Sequence, residues 1–398
     1  MLTLLKAPME FVFNRFFSEK TELLYDYTAD PQHPAMQYLP HPEQIRAHYP
    51  NPNGWGTGME DSTLNGGSLL DALVGLYRVT EDPAVSRTAL TIFRGLSRCV
   101  RIPGAPGYVA RSISPEDGKT AYIGSSRDQY THFVYAAWRL YEAPFCPEDV
   151  RGEIRELIVA VAEKCLRDVT EENDFCLLRT DGGRERVGCM WGKNAGDHEV
   201  LRLPMFYLAA YHISGESRWL KEYHRYLPEA LERTVRFDPS KSRVYVSLQV
   251  QYSMVLVYTL DLETRPRLLP FMHTLADFCQ NKALEQSRTF CAPENRSALN
   301  FRFRAWDAVE PWDIGPYEGL PFLNPAQSEY PENRAFYPVR EVGEGAAVAA
   351  ICPERPIPPE LKSAVENMLA AIDLCQHYSI YAPLLLCCGL MLLAEAGY

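Results

Sequence analysis

Long hydrophobic runs are missing from this sequence of 398 residues, and no stretch of about 18 apolar residues predicts a membrane-spanning helix. The most apolar segment, 381–394, is shorter and reads as a buried helix. Blocks of lysine and arginine are missing too, and the net charge is −11, which excludes a general nucleic-acid partner. The N-terminus lacks a basic start followed by a long apolar stretch, so we expect no signal peptide and a cytoplasmic protein.

The motifs of several enzyme classes are also missing. There is no GxSxG nucleophile elbow, no P-loop, no GxGxxG between a strand and a helix, and no HExxH zinc motif. The 11 cysteines form neither a CxxC pair nor a Cys/His spacing typical of metal ligands, so we interpret them as small buried thiols in a reducing compartment. Nothing in the sequence requires a metal or an organic cofactor, and we predict none.

Helical periodicity dominates what is present. Short turns join helices into pairs, whereas long loops at 101–127, 169–198, 234–245 and 288–340 join one pair to the next. The pattern predicts helices over 62–79, 83–100, 128–141, 147–168, 199–213, 218–233, 246–260, 266–283, 359–375 and 379–396. Strand-like pieces at 175–178 and 243–246 predict minor β-ribbons in the loops.

This alternation of short and long connections predicts the fold. We expect an all-α (α/α)6 toroid of helical hairpins whose long loops all lie on one face, with a cleft where these loops converge. Neither a βαβ alternation nor a composition typical of a linker is present, so residues 1–398 are expected to form a single catalytic domain.

Acidic residues stand at the starts of two predicted inner helices. Glu60 and Asp61 follow a glycine-rich loop, and Asp128 begins the helix after the loop 101–127. Helix capping is the simpler interpretation, because aspartate is a favoured N-cap residue. The polar loops around both positions favour a second interpretation, in which Asp61 and Asp128 are an acid/base pair and Glu60 supplies a like charge that raises a neighbouring pKa.

Loop residues around these acids are candidates for substrate binding. Aromatic rings on loops can stack on sugars, and arginine forms bidentate pairs with carboxylates such as that of a uronic acid. Polar side chains beside the acids complete the set. The candidates are Trp55, Asn65, Arg111, Tyr122, Arg127, Gln129, Tyr130, Trp191, Lys193, His198, Arg304 and Trp306.

Two segments, 58–67 (GMEDSTLNGG) and 125–131 (SSRDQYT), lead from a loop into an inner helix. With the hairpin alternation, which covers most of the chain, they resemble the six-hairpin glycosidases, (α/α)6 toroids that process bacterial oligosaccharides. Unsaturated glucuronyl hydrolases and certain β-glucuronidases share this fold and act on uronic acids. In the unsaturated-sugar enzymes an aspartate hydrates a vinyl ether, and by motif position Asp61 and Asp128 correspond to the acids. The resemblance implies a glycoside hydrolase acting on short oligosaccharides that contain uronic acid.

A lyase or epimerase activity and a non-catalytic function remain open at this point. Polysaccharide lyases of toroid shape use tyrosine and histidine as acid and base, and Tyr122, Tyr130 and His198 keep that function possible. Sugar epimerases of the same shape use a pair of histidines. A toroid that binds carbohydrate without catalysis is the third interpretation, and the oligomeric state is open in all of them.

Overall fold

The computed structural model describes residues 2–102, 104–299 and 336–398. Thirteen α-helices lie in this part of the chain, and we number them in chain order. They are α1 (Leu2–Phe16), α2 (Pro42–Arg46), α3 (Ser62–Thr80), α4 (Pro83–Val100), α5 (Arg127–Tyr141), α6 (Glu148–Asp168), α7 (Arg202–Ser214), α8 (Ser217–Thr234), α9 (Val244–Leu260), α10 (Arg265–Cys291), α11 (Phe336–Ala350), α12 (Pro359–Ala371) and α13 (Tyr381–Glu395).

Six of these helices form an inner ring in the order α3, α5, α7, α9, α11 and α13, and α13 packs against α3 to close it. Six outer helices cover them: α4, α6, α8, α10, α12 and, beside α13, the N-terminal α1. The inner helices are buried on nearly all sides, whereas the outer helices bury one stripe and expose the other. The predicted all-α (α/α)6 toroid is therefore the observed fold.

Two antiparallel ribbons accompany the ring. β1 (Phe17–Ser18) pairs with β2 (Leu23–Leu24), and β3 (Cys176–Leu178) pairs with β4 (Arg184–Cys189). The strand predicted at 175–178 is confirmed by β3. The strand predicted at 243–246 is wrong, because the helix α9 already begins there and its β-branched residues pack inside the ring.

Most predicted helix boundaries agree with the structure to within a few residues. Asp82 caps α4 by accepting a hydrogen bond from the Ala84 N–H at 2.8 Å, as expected for an aspartate followed by Pro83. Sequence periodicity missed α1, the short α2 and α11. α11 overlaps the end of the predicted long loop 288–340 and continues beyond it, and it buries Arg340, Glu341 and Glu344.

Two inner helices approach each other at glycines. A Cβ atom on Gly343 of α11 would lie 2.3 Å from the Leu385 carbonyl oxygen of α13, and one on Gly389 would lie 2.8 Å from the Gly343 carbonyl oxygen. Because backbone atoms are the obstacle, side-chain rotation cannot relieve the overlap. The ring thus closes tightly here only with glycine.

We predict that Gly343→Ala lowers the free energy of unfolding by about 3 kcal/mol, at the upper end of overpacking effects. The matched control is Gly152→Ala on α6, where an added methyl group meets nothing within 4 Å and should stabilise the helix by about 0.5–1 kcal/mol. Denaturant unfolding of both variants measures the difference. Equal stability of the two variants would contradict the close approach of α11 and α13.

Candidate active site

All six inner helices begin at one cavity of about 270 Å³. Their first turns supply most of its wall, and the loops that precede α3, α5 and α7 supply the rest. Six helix N-termini therefore point their partial positive charge toward the same space, which favours anionic groups there. The residues that line the cavity are Trp55, Glu60, Asp61, Leu64, Arg111, Ser126, Arg127, Asp128, Val187, His198, Glu199, Arg202, Tyr245, Val246, Gln249, Phe336, Tyr337, Arg340 and Tyr381.

Asp61 occupies the cap position of α3, but its side chain makes no capping hydrogen bond. Its carboxylate turns into the cavity instead and is 20% exposed. Oδ1 accepts a hydrogen bond from Gln129 Nε2 at 2.7 Å and lies 3.5 Å from Arg111 Nη1, while Oδ2 accepts one from the Tyr381 hydroxyl at 2.8 Å. The capping interpretation of Asp61 is therefore wrong, because donors from three other parts of the chain hold the carboxylate.

Glu60 lies beside Asp61 and is more deeply buried. Its Oε2 accepts hydrogen bonds from the Gly56 N–H at 2.7 Å and from the Tyr27 hydroxyl at 3.3 Å. Burial, followed by the negative charge of Asp61, raises the pKa of the Glu60 carboxyl to about 7. Glu60 can therefore carry a proton at neutral pH.

Asp128 lies in the first turn of α5 and is held by a buried cation. Arg202 Nη1, at the start of α7, is 2.7 Å from Asp128 Oδ1, and the Asp128 side chain is 28% exposed. Burial would raise the pKa of the Asp128 carboxyl, but the charges of Arg202 and Arg127 outweigh it and lower the pKa to about 2. Asp128 is therefore a permanent carboxylate, in the opposite electrostatic environment to Glu60.

A second ion pair lies next to Asp128. Arg127 pairs with Glu199 and donates from Nη1 to the Cys189 carbonyl oxygen at 3.2 Å. Burial raises the pKa of the Glu199 carboxyl, but the Arg127 charge and the hydrogen bond from His198 lower it to about 2. His198 also lines the cavity, and its Nε2 lies 3.2 Å from Glu199 Oε1.

Arg340 enters the cavity from α11. Its Nε and Nη2 donate to Glu344 Oε1 at 2.9 and 2.8 Å, and its guanidinium carbon lies 4.5 Å from the centre of the Tyr381 ring. The rings of Tyr245, Phe336 and Tyr337 lie farther out around it, at 5.5–5.8 Å. Among the described residues, Nη1 of Arg340 has no hydrogen-bond partner, and Glu344 does not line the cavity.

Several residues proposed from the sequence lie elsewhere. Gln129 and Asn65 are buried behind the cavity, where Gln129 holds Asp61 and Asn65 Nδ2 donates to Asp26 Oδ1 at 2.9 Å. The Tyr122 hydroxyl donates to the Tyr49 carbonyl oxygen at 2.6 Å, and Tyr130 is fully buried against Phe206. The placement of these four behind the wall is a correction to their proposed contact with substrate.

Two further corrections concern the loop before α7. The Trp191 ring packs edge-on against Tyr226 with ring centres 4.8 Å apart, and it does not line the cavity. Lys193 is exposed on the short turn Gly192–Asn194 and does not line the cavity. Arg304 and Trp306 lie outside the described residues.

The sequence reasoning missed residues that prove to be close to the acids. Arg202, Tyr245, Tyr337, Arg340 and Tyr381 all line the cavity. Each of them stands in the first two turns of an inner helix, the same position that singled out Asp61 and Asp128, and this signal could have identified the residues on the predicted helices. For Tyr337 and Arg340 even that signal was lost, because α11 was not predicted.

Within the described ranges, no helix is long and apolar enough to cross a membrane. In the same ranges, no group of three or more His, Cys, Asp or Glu residues is arranged to hold a metal ion.

No protein-family model matches the sequence, and no curated protein matches it. Among solved structures, a sugar epimerase from a ruminal bacterium is 9% identical over 98% of both chains, with a TM-score of 0.51. A GH76A α-1,6-mannanase from Salegentibacter sp. HEL1_6 is 10% identical over 99% of both chains, with a TM-score of 0.48. An inactive variant of that mannanase in complex with α-1,6-mannotriose gives 10% identity over 99% of both chains and a TM-score of 0.46. The likeness to the epimerase agrees with the helical toroid described above.

Proposed function

We propose that this chain is a carbohydrate-active enzyme, a glycoside hydrolase that acts on short oligosaccharides containing uronic acid. One observation carries the proposal: the Glu60–Asp61 pair and Asp128 line the same cavity in opposite electrostatic environments. Glycoside hydrolysis needs one carboxyl group that gives a proton to the leaving oxygen and one carboxylate that acts as base or nucleophile. Groups whose pKa values are driven apart by their surroundings suit these two roles.

The proton comes from the Glu60–Asp61 pair in this proposal. Glu60 holds a proton near neutral pH, and Asp61 is the more exposed of the two and faces the substrate. The Tyr381 hydroxyl, Gln129 and Arg111 fix the Asp61 carboxylate from three sides, so that its orientation costs little when a sugar binds. The pair gives this one proton to the glycosidic oxygen as the bond from that oxygen to the anomeric carbon breaks, which leaves both Glu60 and Asp61 ionised until a proton returns from water.

Asp128 takes the second role. Its carboxylate is ionised at neutral and mildly acidic pH, because Arg202 forms an ion pair with it in the wall of the cavity and lowers its pKa to about 2. In that state it either attacks the anomeric carbon or takes a proton from the attacking water, and it stabilises the positive charge that develops on the sugar ring.

Arg340 is the candidate that would recognise a uronate. The other arginines in the described part of the cavity wall, Arg111, Arg127 and Arg202, each pair with a carboxylate that also lines the cavity. Arg340 lines the cavity, whereas its partner Glu344 does not, so that the carboxylate paired with Arg340 does not take up space in the cavity. A sugar carboxylate beside the Arg340 guanidinium would also gain from the six helix N-termini. The rings of Tyr337 and Trp55 in the wall give apolar surfaces on which a pyranose can stack.

A lyase that uses tyrosine as base is less well supported. Tyr122 and Tyr130 do not line the cavity. Tyr381 does, but burial, followed by the acidic groups around it, raises the pKa of its hydroxyl well above the usual value, so that the proton stays on it. Epimerisation by a histidine pair is likewise less well supported, because His198 is the one histidine in the described part of the cavity wall.

The test is a panel of nitrophenyl glycosides and unsaturated uronides incubated with the purified protein. Release of nitrophenol, with more from the β-glucuronide than from the β-glucoside, supports the proposal, since the two differ only in the sugar carboxylate. Loss of an unsaturated uronide's ultraviolet absorbance would place the enzyme with the vinyl-ether hydrating hydrolases. A gain of such absorbance from a saturated uronate polymer, or an inverted ring carbon in the recovered sugar, would instead establish a lyase or an epimerase.

The pH dependence of kcat/KM follows from the acid pair. Glu60 has a pKa of about 7 and must be protonated, whereas Asp128 is already ionised above pH 2. We therefore expect activity to be constant at mildly acidic pH and to fall as the pH rises through about 7. Glu60→Gln should remove this alkaline limb together with most of the activity. An unchanged profile in that variant would assign the titration to another group.

Replacement of Arg340 tests the recognition of the carboxylate. We expect Arg340→Met to lower kcat/KM for the glucuronide about 100-fold, because a charge-assisted hydrogen bond is worth about 1.5–3 kcal/mol, while the value for the glucoside changes little. Arg243→Met is the matched control: Arg243 also lies over the Tyr337 ring, at 4.7 Å, but its side chain is 57% exposed and does not line the cavity. A uniform loss on both substrates would indicate a structural role for Arg340.

A further inference from the structure

A third carboxyl group lies directly behind the acid pair. Asp26 follows the strand β2 and is 0% exposed. Its backbone is tied on both sides: its N–H donates to the Gly58 carbonyl oxygen and its carbonyl oxygen accepts from the Ile380 N–H, each at 2.9 Å. Asp26 therefore sits where the loop before α3 meets the start of α13, below the floor of the cavity.

The Asp26 side chain holds the main chain of both acidic residues. Its Oδ2 accepts hydrogen bonds from the Glu60 N–H at 2.7 Å and from the Asp61 N–H at 3.0 Å. Its Oδ1 accepts one from Asn65 Nδ2 at 2.9 Å, one turn into α3. One buried carboxyl group thus sets where the Glu60–Asp61 dipeptide lies relative to the helix and the cavity.

No cation balances this group among the described residues. The titratable groups that face Asp26 are Glu60 and Asp61 on its own side of the cavity, Tyr381 from α13 and, more weakly, Tyr25 on the same segment. All of them are neutral or negative, and Asp26 forms no ion pair. Three neutral N–H donors favour an ionised carboxylate, but full burial and two neighbouring carboxyl groups oppose it. Burial, then Asp61 and Glu60, raise the pKa of Asp26 well above its usual value.

The surroundings also offer an acceptor for the proton of a neutral Asp26. Asn65 Oδ1 is buried and has no hydrogen-bond partner. Rotation of this amide by half a turn exchanges its oxygen and nitrogen, which bring nearly equal shape to the same two positions. The amide oxygen then lies about where Nδ2 lies now, within hydrogen-bond distance of Asp26 Oδ1, and can accept from a protonated Oδ1.

We propose that Asp26 is a positioning residue for the acid pair and that it works as a neutral carboxylic acid, holding the Glu60 and Asp61 main chain without adding a negative charge beside them. This inference rests on the proposed function only in naming the Glu60–Asp61 pair as the proton donor. An ionised Asp26 would add a negative charge beside the pair, and the pair would then hold its proton more tightly. A neutral Asp26 leaves that proton available near pH 7.

The variants Asp26→Asn and Asp26→Ala distinguish a neutral Asp26 from an ionised one. A neutral carboxylic acid and an amide have the same shape and charge: the asparagine oxygen would accept the two N–H groups, and its NH2 would donate to Asn65 Oδ1. We expect Asp26→Asn to keep kcat within about threefold and to leave the alkaline limb of kcat/KM unmoved, because the charge is unchanged. Asp26→Ala should lose about 100-fold in kcat through a displaced acid pair, with KM little changed. An alkaline limb that moves to lower pH in Asp26→Asn would overturn the proposal.

Unfolding measurements test the same charge state without any substrate. A carboxyl group whose pKa is raised in the folded protein contributes stability below its unfolded pKa, and this contribution is lost as the pH rises toward the folded pKa. The ratio of unfolding constants, wild type over Asp26→Asn, should therefore increase about tenfold per pH unit between pH 5 and 7. A ratio that stays constant over this range shows an ionised Asp26 and overturns the inference. This result is independent of whether the protein hydrolyses any glycoside.

Discussion

Replacing Asp128 with asparagine is expected to lower kcat about 10³- to 10⁴-fold, the range seen when a group that acts directly on the reacting atoms is removed. The asparagine keeps an oxygen for Arg202 Nη1, so the geometry of the wall should persist. The charge is lost, however, and with it the nucleophile or base. Arg202 then remains buried with a neutral partner, which should cost about 2 kcal/mol of unfolding free energy. Steady-state kinetics on the best nitrophenyl glycoside and thermal unfolding measure the two effects.

The matched control for this variant is Asp82→Asn. Asp82 is also an aspartate at the start of a helix, but its carboxylate caps α4 on the outside of the ring. Asparagine caps nearly as well as aspartate, so kcat and stability should stay near wild type. Near-normal turnover by Asp128→Asn would remove Asp128 from the mechanism, and with it the hydrolase that the cavity supports best.

The second large effect is expected inside the inner ring and away from the cavity, where Asp71→Ala should lower the free energy of unfolding by about 3–5 kcal/mol. Asp71 of α3 is fully buried, and its Oδ1 accepts from Arg139 Nε of α5 at 2.7 Å. Arg139 also pairs with Glu395 of α13 at 2.6 Å. Removing Asp71 leaves the Arg139 side chain, which is 11% exposed, with a weaker set of partners. Urea unfolding followed by circular dichroism measures the loss.

Two comparisons give this prediction its control. Arg78→Ala removes a pair to the same Glu395, but the Arg78 side chain is 38% exposed, so a change of about 0–1 kcal/mol is expected. The double variant Asp71→Leu/Arg139→Met replaces both charges with apolar groups and should recover most of the stability. A loss in the double variant larger than that of Asp71→Ala would show that the ion pair itself, and not an uncompensated charge, sets the effect. In all three variants kcat should be unchanged, because Asp71, Arg78 and Arg139 do not line the cavity.

The start of α3 shows which part of the site could be predicted from the sequence. The glycine-rich loop and the Glu60–Asp61 pair marked a helix entrance with too many polar groups for a simple cap, and the side chains do line the cavity. The hydrogen-bond and ion-pair partners of these acids could not be predicted from the sequence. Tyr381 lies 320 positions from Asp61 and Arg202 lies 74 positions from Asp128, and hydrogen-bond and Coulomb terms depend on distances in space that no spacing along the chain records.

The aromatic loop residues show where the sequence proposed too many substrate contacts. Trp55 was proposed because it lies in a loop, and it lines the cavity, whereas Tyr122 and Trp191, proposed for the same reason, pack against protein. A loop ring can cover core residues as readily as it can face a ligand. Which of the two happens depends on the path of the loop backbone, and that path is set by contacts with distant elements.

The sequence by itself predicted ten of the twelve helices of the ring, the toroid that they form and the acids at two inner-helix starts, because helix periodicity, turn residues and capping positions are local and repeat along the chain. Only the tertiary structure decided which carboxyl group holds a proton, which carboxylate is fixed by arginine and which tyrosine meets Asp61. Burial and charge at each of these groups arise from residues that the ring brings together from opposite ends of the chain, and the pKa of a side chain responds to those surroundings.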